Sequence, residues 1–314
     1  MTSDASTPAD HQAIAAAQLL RSRRRWRMLA FVAIIVAILA LAGRFAVSGG
    51  AGDEIARVSI TGTISTDRDR AELLKKLGDD PNVKAVILDI DSPGGSTAGG
   101  EELYEDLGAL RAKKPVVAVI GELGASAAYM TAIAADRIYA RRLSIVGSIG
   151  VLFQSYNIGK LMDTIGVGSD KVASGPLKAE PDFTKPMSPD VRASIANLVA
   201  DSFNWFVDIV AERRNLPRPA VLTLADGRIL TGRQALDAKL IDAIGGEDEA
   251  VAWLDQTKSL PADLPVIDRF PLAQSGWGGI GKWLGSEARQ AVGLSASGPL
   301  ALDGLVSLWQ VGPQ

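Results

Sequence analysis

The sequence contains no cysteine and only one histidine among its 314 residues. The lack of cysteine excludes disulfides, a thiolate nucleophile and cysteine-based zinc sites. The lone histidine, His11, means that the commonest general base and metal ligand is nearly missing from the chain. A net charge of −3 argues against a general nucleic-acid binder. No metal or other cofactor is expected, and any catalysis must use other side chains.

One long hydrophobic run, WRMLAFVAIIVAILALAGRFAV at residues 26–47, predicts a transmembrane anchor. Its length approaches the roughly 20 residues that a membrane-spanning helix needs. Five arginines precede the uncharged part of the run, Met28–Gly43, and one follows it closely, so the positive-inside bias leaves the N-terminus in the cytoplasm. His11 then lies on the opposite side of the membrane from everything after residue 48. A cleavable signal peptide is the alternative, although both the run and the charged stretch before it are long for one.

After the anchor, strand-like and helix-like patterns alternate along the chain. Such alternation predicts an α/β fold with a mostly parallel sheet and flanking helices. We expect strands at residues 55–64, 83–90, 115–120, 138–140 and 150–153, and helices at 69–77, 99–112, 126–135 and 188–215.

The stretch GELGASAAYMTAIAADRIYA, residues 121–140, places Ser126 in a turn of small residues before an alanine-rich helix. A serine at the start of a helix can be displayed as a nucleophile. The same serine can instead serve only as the N-cap of that helix, with the small residues allowing close packing.

A second candidate segment is DIDSPGGS, residues 89–96. The pattern predicts that a buried strand ends here and that Pro93, Gly94 and Gly95 turn sharply before a helix. Glycines let backbone N–H groups face outward and hold a developing oxyanion, although glycine-rich turns are also common without function. Asp89 and Asp91 could suggest paired-carboxylate chemistry, but no second segment supplies a converging carboxylate.

A lysine is the remaining candidate to activate Ser126. A lysine acts as a general base when burial lowers its pKa from about 10.4 towards about 7–8, and serine–lysine pairs are an established alternative to histidine triads. The segment KVASGPLKAE places Lys178 after a Ser-Gly-Pro turn, but Lys171 and Lys185 lie close by, and the local sequence does not choose among them.

Together these segments resemble the signal peptide peptidase A family, membrane-bound serine proteases of the ClpP/crotonase superfamily. The resemblance covers most of residues 55–255 and rests on five segments in the family's order: DIDSPGG (89–95), GELGASAAYMTAIAADRIYA (121–140), VGSIGVLF (146–153), KVASGPLK (171–178) and DGRILTGRQALDAKLIDAIGG (226–246). The single copy of the domain is similar to the short form of the family.

The resemblance implies roles for individual residues. Ser126 would be the nucleophile and Lys178 its general base. Backbone N–H groups around Gly95 and Ala127 would form the oxyanion hole, supported by Gly94, and the Ser148 hydroxyl would orient the lysine amine. The family has glycines where this chain has Ala127 and Ala128. Alanine does not tolerate a positive φ, but both positions open a helix, so we expect only a tighter pocket.

The resemblance also implies an assembly and a layout. The short form is a ring or dome in which serine and lysine meet across neighbouring protomers, so we expect a homo-oligomer that contacts the lipid bilayer. The expected layout is a cytoplasmic tail (1–25), the anchor (26–47), a linker (48–54), the protease domain (55–258) and a C-terminal tail (259–314). Three of the six tryptophans lie in residues 275–314, which could form an amphipathic or oligomer-facing tail or a weakly ordered end.

The function expected from this resemblance is a membrane-anchored serine endopeptidase of the signal peptide peptidase type, with its catalytic domain outside the cytoplasmic membrane. Its substrates would be remnant signal peptides and other unfolded or misfolded polypeptides. Two alternatives remain: an inactive ring-forming scaffold, conceivable because of Ala127 and Ala128, and a crotonase-type enzyme acting on coenzyme A thioesters. The extracytoplasmic domain argues against the thioester enzyme, and the presence of both Ser126 and Lys178 argues against the scaffold.

Overall fold

The structure is a computed structural model that describes residues 30–36, 52–270 and 306–308. The chain divides into two units, Met1–Gly52 and Asp53–Gln314. In the first unit, residues 30–36 form a helix, α1, with exposed side chains; the rest of the predicted anchor lies outside the described residues. Among the helices that the structure describes, none is both long and apolar enough to cross a membrane. The anchor therefore stays a prediction.

The second unit is built on one sheet, which comprises nine strands within the described residues. The strands are β1 (Glu54–Ile64), β2 (Val83–Ser96), β3 (Val116–Ala125), β4 (Arg137–Ala140), β5 (Ile145–Gly147), β6 (Ile229–Thr231), β7 (Ala243–Ile244), β8 (Val266–Asp268) and β9 (Val306–Leu308). The main path runs β6-β5-β3-β2-β1-β8, while β4 pairs with β3 and β7, and β9 pairs with β2. Among the strand pairs that the structure describes, only β5–β6 and β2–β9 are antiparallel, so the predicted mostly parallel α/β sheet is confirmed.

Helices cover both faces of this sheet. They are α2 (Arg68–Asp79), α3 (Thr97–Arg111), α4 (Ala127–Ile133), α5 (Gly159–Ile165), α6 (Pro189–Arg214), α7 (Arg218–Leu224), α8 (Gly232–Asp237) and α9 (Glu247–Lys258). One core cluster packs α2, α3, α4 and α6 against one face of the sheet, and a smaller cluster packs α9 against the other. Since both faces of β2 and β3 are covered, their central residues are continuously apolar.

Local sequence signals explain several helix ends. The Asp67 side chain accepts hydrogen bonds from the first turn of α2, and the Ser96 hydroxyl accepts one from the Gly99 N–H at the start of α3. Thr231 and Gln234 form a reciprocal capping box at α8. The long helix α6 ends at Asn215, which adopts the left-handed conformation that asparagine tolerates.

Two local predictions are wrong. The strand expected at residues 150–153 is instead β5, five residues earlier, because Ile145–Gly147 is the stretch that pairs with the end of β3. Instead of the sharp turn expected at Pro93–Gly95, β2 continues through these residues to Ser96, paired with β1 as far as Gly95. The sheet also continues past residue 258, since β8 adds a parallel strand to β1 and Arg269 pairs with the buried Glu54 carboxylate.

Candidate active site

Ser126 lies in the single-residue turn between β3 and α4. Its backbone has φ 60° and ψ −120°, a combination that costs a non-glycine residue about 1–3 kcal/mol. A strained strand-to-helix turn of this kind presents the nucleophilic serine of α/β-hydrolases. The Ser126 side chain makes no capping hydrogen bond to α4, so the reading of this residue as a simple N-cap is not supported.

The helix that follows Ser126 is held rigidly in the core. Every residue of α4 is buried. The Tyr129 hydroxyl donates to the Leu240 carbonyl oxygen at 2.8 Å, and burial raises the pKa of Tyr129 so that it remains a donor. Ala127 and Ala128 are absent from the positive-φ residues, so the left-handed conformation falls on the serine rather than on the alanines. The expectation that the two alanines open a helix is confirmed.

Ser148 is brought to the same edge of the sheet by strand pairing. Ala125 at the end of β3 is the parallel partner of Gly147 at the end of β5, so the residues that follow them, Ser126 and Ser148, leave the sheet side by side. The Ser126 N–H donates to the Gly147 carbonyl oxygen at 2.8 Å. Ser148 also has a positive φ, 51°, and its N–H donates to the Arg228 carbonyl oxygen at 2.8 Å.

Gly95 lies at the end of β2, pressed against β1. A Cβ at this position would come within 1.8 Å of the Ile64 carbonyl oxygen, so only glycine fits. The buried Ser92 hydroxyl holds this segment by donating to the Gly62 carbonyl oxygen at 2.6 Å and accepting from the Gly94 N–H at 3.1 Å. Gly94 has φ 101°. The Gly94 N–H is therefore engaged by Ser92, which leaves Gly94 a positioning role.

Gly95 and Ala127 are linked through the packing of the two helices that follow them. A Cβ at Gly100, near the start of α3, would lie 3.0 Å from the Ala127 Cβ and 2.8 Å from the Met130 sulfur. The first turns of α3 and α4 are therefore in close contact. As the first residue of α4, Ala127 has no intrahelical acceptor for its N–H. The oxyanion hole expected at Gly95 and Ala127 stays a prediction.

Lys178 lies in a turn closed by a hydrogen bond from its own N–H to the Gly175 carbonyl oxygen, and its side chain is exposed in the single chain. Its rival Lys171 donates to Glu180 at 2.7 Å and lies 3.7 Å from Asp182. The hydrogen bond to Glu180, more than any other contact, raises the pKa of Lys171 and keeps it protonated. A lysine held as a cation is a poor general base. The structure thus disfavours Lys171 and leaves Lys178 and Lys185, both exposed.

Asp89 lies in the middle of β2, near a charged cluster formed by Arg57, Glu247 and Asp268. Burial is the main cause that raises the pKa of Asp89, while Arg57, itself bridged to Glu247 and Asp268, partly opposes that shift. Among the described residues, no group of three or more metal-ligating side chains could hold a metal ion.

Comparisons with known proteins identify the family. The model for Peptidase family S49 matches residues 108–261. A protein of Synechocystis sp. named as a protease is 35% identical over 216 residues, which are 68% of this chain and 78% of that protein. A protein of Enterococcus faecium that carries the name signal peptide peptidase SppA is 32% identical over 228 residues, 71% of this chain and 64% of its own. The chain belongs to the signal peptide peptidase A family.

Membership makes this chain a serine-type peptidase that acts on polypeptides. A chloroplastic serine protease SPPA of Arabidopsis thaliana is a further relative, 30% identical over 224 residues, 69% of this chain and 33% of its own. The matched range includes Ser126, Ser148 and Lys178, whereas Gly94 and Gly95 precede it.

Sequence reasoning missed two residues of this peptidase that hold the site together. Ser92 fixes the glycine segment, and Gly147 accepts the hydrogen bond from the Ser126 N–H. A signal for Gly147 was present in VGSIG, because a glycine directly before a serine at a strand end permits the φ of 104° seen there. Nothing local distinguished Ser92 from any other serine.

Proposed function

We propose that this member of the signal peptide peptidase A family is a membrane-anchored endopeptidase in which Ser126 is the nucleophile and Lys178 the general base. Its substrates are remnant signal peptides and unfolded or misfolded exported polypeptides, and its catalytic domain lies outside the cytoplasmic membrane. The observation that carries the proposal is the strained turn that holds Ser126 between β3 and a fully buried α4. Such strain persists where the surrounding structure imposes it, and it clusters at active sites.

The surroundings of Lys178 support a dyad that forms between protomers. The lysine lies within a segment, residues 152–183, that exposes several large apolar side chains, including those of Tyr156, Leu161, Ile165, Val172, Leu177 and Phe183. Val172 is 99% exposed, so it gains nothing from the fold of one chain. An apolar surface of this kind is typical of an interaction site, and a second copy of this chain would cover it.

Covering that surface would also prepare the base. A dry, apolar environment favours the neutral form of a lysine amine over the ammonium form. Assembly of the homo-oligomer would therefore bring Lys178 of one protomer to Ser126 of the next and deprotonate it in the same step. The Ser148 hydroxyl, beside Ser126 at the sheet edge, would orient the amine.

The proposed reaction is acyl transfer in two halves. The Lys178 amine takes the Ser126 proton as Oγ attacks the scissile carbonyl carbon, and N–H groups at Gly95 and Ala127 stabilise the resulting oxyanion. When the C–N bond breaks, the lysine ammonium donates its proton to the leaving amine. A water molecule, deprotonated by the same amine, then attacks the acyl-enzyme ester and releases Ser126 with the second product.

The test uses the full-length protein in detergent with an apolar fluorogenic peptide, assayed from about pH 6 to about pH 10. We expect Ser126→Ala and Lys178→Ala to be inactive while still assembled, and Lys171→Ala and Lys185→Ala to remain active. The Lys185→Ala variant is the matched control, because it removes another exposed lysine close to Lys178 in the sequence. Full activity of Lys178→Ala would exclude the dyad.

A mixing experiment separates a dyad between protomers from one within a chain. Random co-assembly of Ser126→Ala with Lys178→Ala subunits leaves about a quarter of interprotomer sites with both native groups. We therefore expect the mixture to recover about a quarter of the parent activity after dissociation and reassembly. Recovery of none, with mixed oligomers demonstrated, would exclude the shared site.

A further inference from the structure

Arg213, near the end of α6, binds the far end of the helix that follows Ser126. Its Nε atom donates a hydrogen bond to the Ile133 carbonyl oxygen at 2.8 Å, and its Nη2 atom donates one to the Ala135 carbonyl oxygen at 2.8 Å. Ile133 is the last residue of α4, and both Ile133 and Ala135 are buried. The contacts join residues that are 80 and 78 positions apart in the sequence, so only the fold creates them.

The end of α4 needs donors of this kind. The last carbonyl groups of a helix have no partner within the helix, and a buried carbonyl without a donor destabilises the folded protein. The planar guanidinium of Arg213 supplies two N–H groups in a fixed geometry and reaches two carbonyl oxygens at once. Its positive charge also faces the end of the helix at which the carbonyl oxygens concentrate negative charge. Arg213 is therefore the C-terminal attachment of α4.

Polar contacts hold α4 along its axis, because its own side chains interlock only weakly with neighbouring helices. Three of its seven residues are alanine, which forms only a shallow ridge on a helix surface. Directly before the helix, the Ser126 N–H is bonded to Gly147, and within the helix the Tyr129 hydroxyl is bonded to Leu240. Arg213 adds the attachment at the other end. Without it, we expect α4 and the turn before it to shift.

A shift of α4 would move the groups that are expected to react. Ser126 directly precedes the helix, and Ala127, whose N–H is expected in the oxyanion hole, is its first residue. A misplacement of about 1 Å in an active site can slow a reaction about a hundredfold. Arg213 contacts the opposite end of a helix that is about 10 Å long, so it acts on these groups only through α4.

We propose that Arg213 is a positioning residue for the nucleophile. By holding the C-terminal end of α4, it keeps the Ser126 hydroxyl and the Ala127 N–H in place against the scissile bond. This inference rests on the proposed role of Ser126. It assigns to α6 a part in the chemical step, although no residue of α6 is expected to touch the substrate.

The next residue of α6, Arg214, offers a matched comparison. Its side chain donates to the Asp242 carboxylate at 2.7 Å and to the Lys239 carbonyl oxygen at 2.9 Å, so it fastens the segment after α8. Both arginines are partly buried, and both join α6 to a distant segment. Of the hydrogen bonds described for the two side chains, only those of Arg213 reach the end of α4. Loss of either arginine should lower stability, whereas only loss of Arg213 should slow the chemical step.

The first measurement is steady-state cleavage of the apolar fluorogenic peptide in detergent. Full-length Arg213→Gln, Arg213→Lys and Arg214→Gln are compared with the parent at the same oligomer size. We expect Arg213→Gln to lower kcat about tenfold or more while KM changes less than about twofold, because the loss falls on the geometry of the reaction rather than on peptide binding. Arg213→Lys retains the charge and one donor, so it should recover part of the lost kcat.

The comparison variant Arg214→Gln should keep kcat within about twofold of the parent value. A parent-like kcat in Arg213→Gln, or an equal fall in both glutamine variants, would overturn the proposal.

A second measurement does not depend on catalysis. In the Ser126→Ala background, hydrogen exchange at the α4 amides of Met130–Ile133 should speed up about tenfold or more when Arg213→Gln is added, but not when Arg214→Gln is added. Unchanged exchange in α4 would exclude Arg213 as its attachment. If Ser126→Ala cleaves the peptide as fast as the parent, the proposed role of Ser126 fails, whereas exchange in α4 still decides whether Arg213 holds the helix.

Discussion

Replacing Ser126 by glycine should give a more stable protein than replacing it by alanine, and both variants should be inactive. The residue has φ 60° and ψ −120°, which glycine adopts readily and a residue with a Cβ does not. Ser126→Ala retains the Cβ and therefore retains the strain, so the difference between the two variants isolates the backbone contribution.

The magnitude follows from two opposing contributions. Relief of the strained backbone stabilises the folded state by about 1–3 kcal/mol. The greater conformational freedom of glycine in the unfolded chain destabilises it by about 0.5–1 kcal/mol. We therefore expect Ser126→Gly to be more stable than Ser126→Ala by about 1 kcal/mol, which corresponds to a rise in Tm of about 2–4 °C for a domain of this size.

The assay is thermal unfolding of the two full-length variants under identical conditions. Ser144 supplies the control. It is another buried serine, it lies directly before β5, and its φ is not positive. There, the glycine variant should be less stable than the alanine variant. If Ser126→Gly is also less stable than Ser126→Ala, the turn is not strained, and the argument that strain marks the nucleophile loses its basis.

Three further substitutions, one of them with a control, test the packing and the charges of the sheet that carries the site. Gly95→Ala should lose at least about 2 kcal/mol in urea unfolding because its Cβ would meet the β1 backbone, whereas Gly108→Ala, with open space on α3, should gain about 0.5–1 kcal/mol. Tyr129→Phe should lose about 1–3 kcal/mol, since a buried carbonyl loses its donor; an unchanged Tm would contradict this. Burial raises the pKa of Asp89 in the folded state. The free energy of unfolding therefore falls as the pH rises through the ordinary aspartate pKa of about 3.9, because the charged carboxylate is disfavoured in the folded protein. Asp89→Asn should raise the Tm near pH 7 but not near pH 3.

The pattern of apolar residues was sufficient to predict most of the central sheet. β2 and β3 contain β-branched runs that are buried on both faces, and β1 alternates buried and exposed residues over much of its length, so their own sequences specify them. The short strand β5 was misplaced because three residues carry too little periodicity, and pairing with Leu123–Ala125 decides their position. The glycine segment at Gly94 and Gly95 was read as a turn for a related reason: glycine signals a bend, but here it permits close approach to Ile64.

For the site, the sequence determined which residue types could act. The absence of cysteine and the single histidine left serine and lysine, and the order of five segments indicated the family. The helical conformation of Ala127 and Ala128 could also be inferred, because alanine favours a helix and resists positive φ.

Only the tertiary structure decided how those residues are arranged. The positive φ of Ser126, its position beside Ser148, the fixing of Gly94 by Ser92 and the pairing of β9 with Gly94–Ser96 all depend on neighbours far away in the chain. The structure also showed that Lys171 is held by Glu180 and that Lys178 stays exposed in one chain. A sequence specifies its local backbone preferences directly, whereas strand register, burial and charge pairing arise only when distant segments meet.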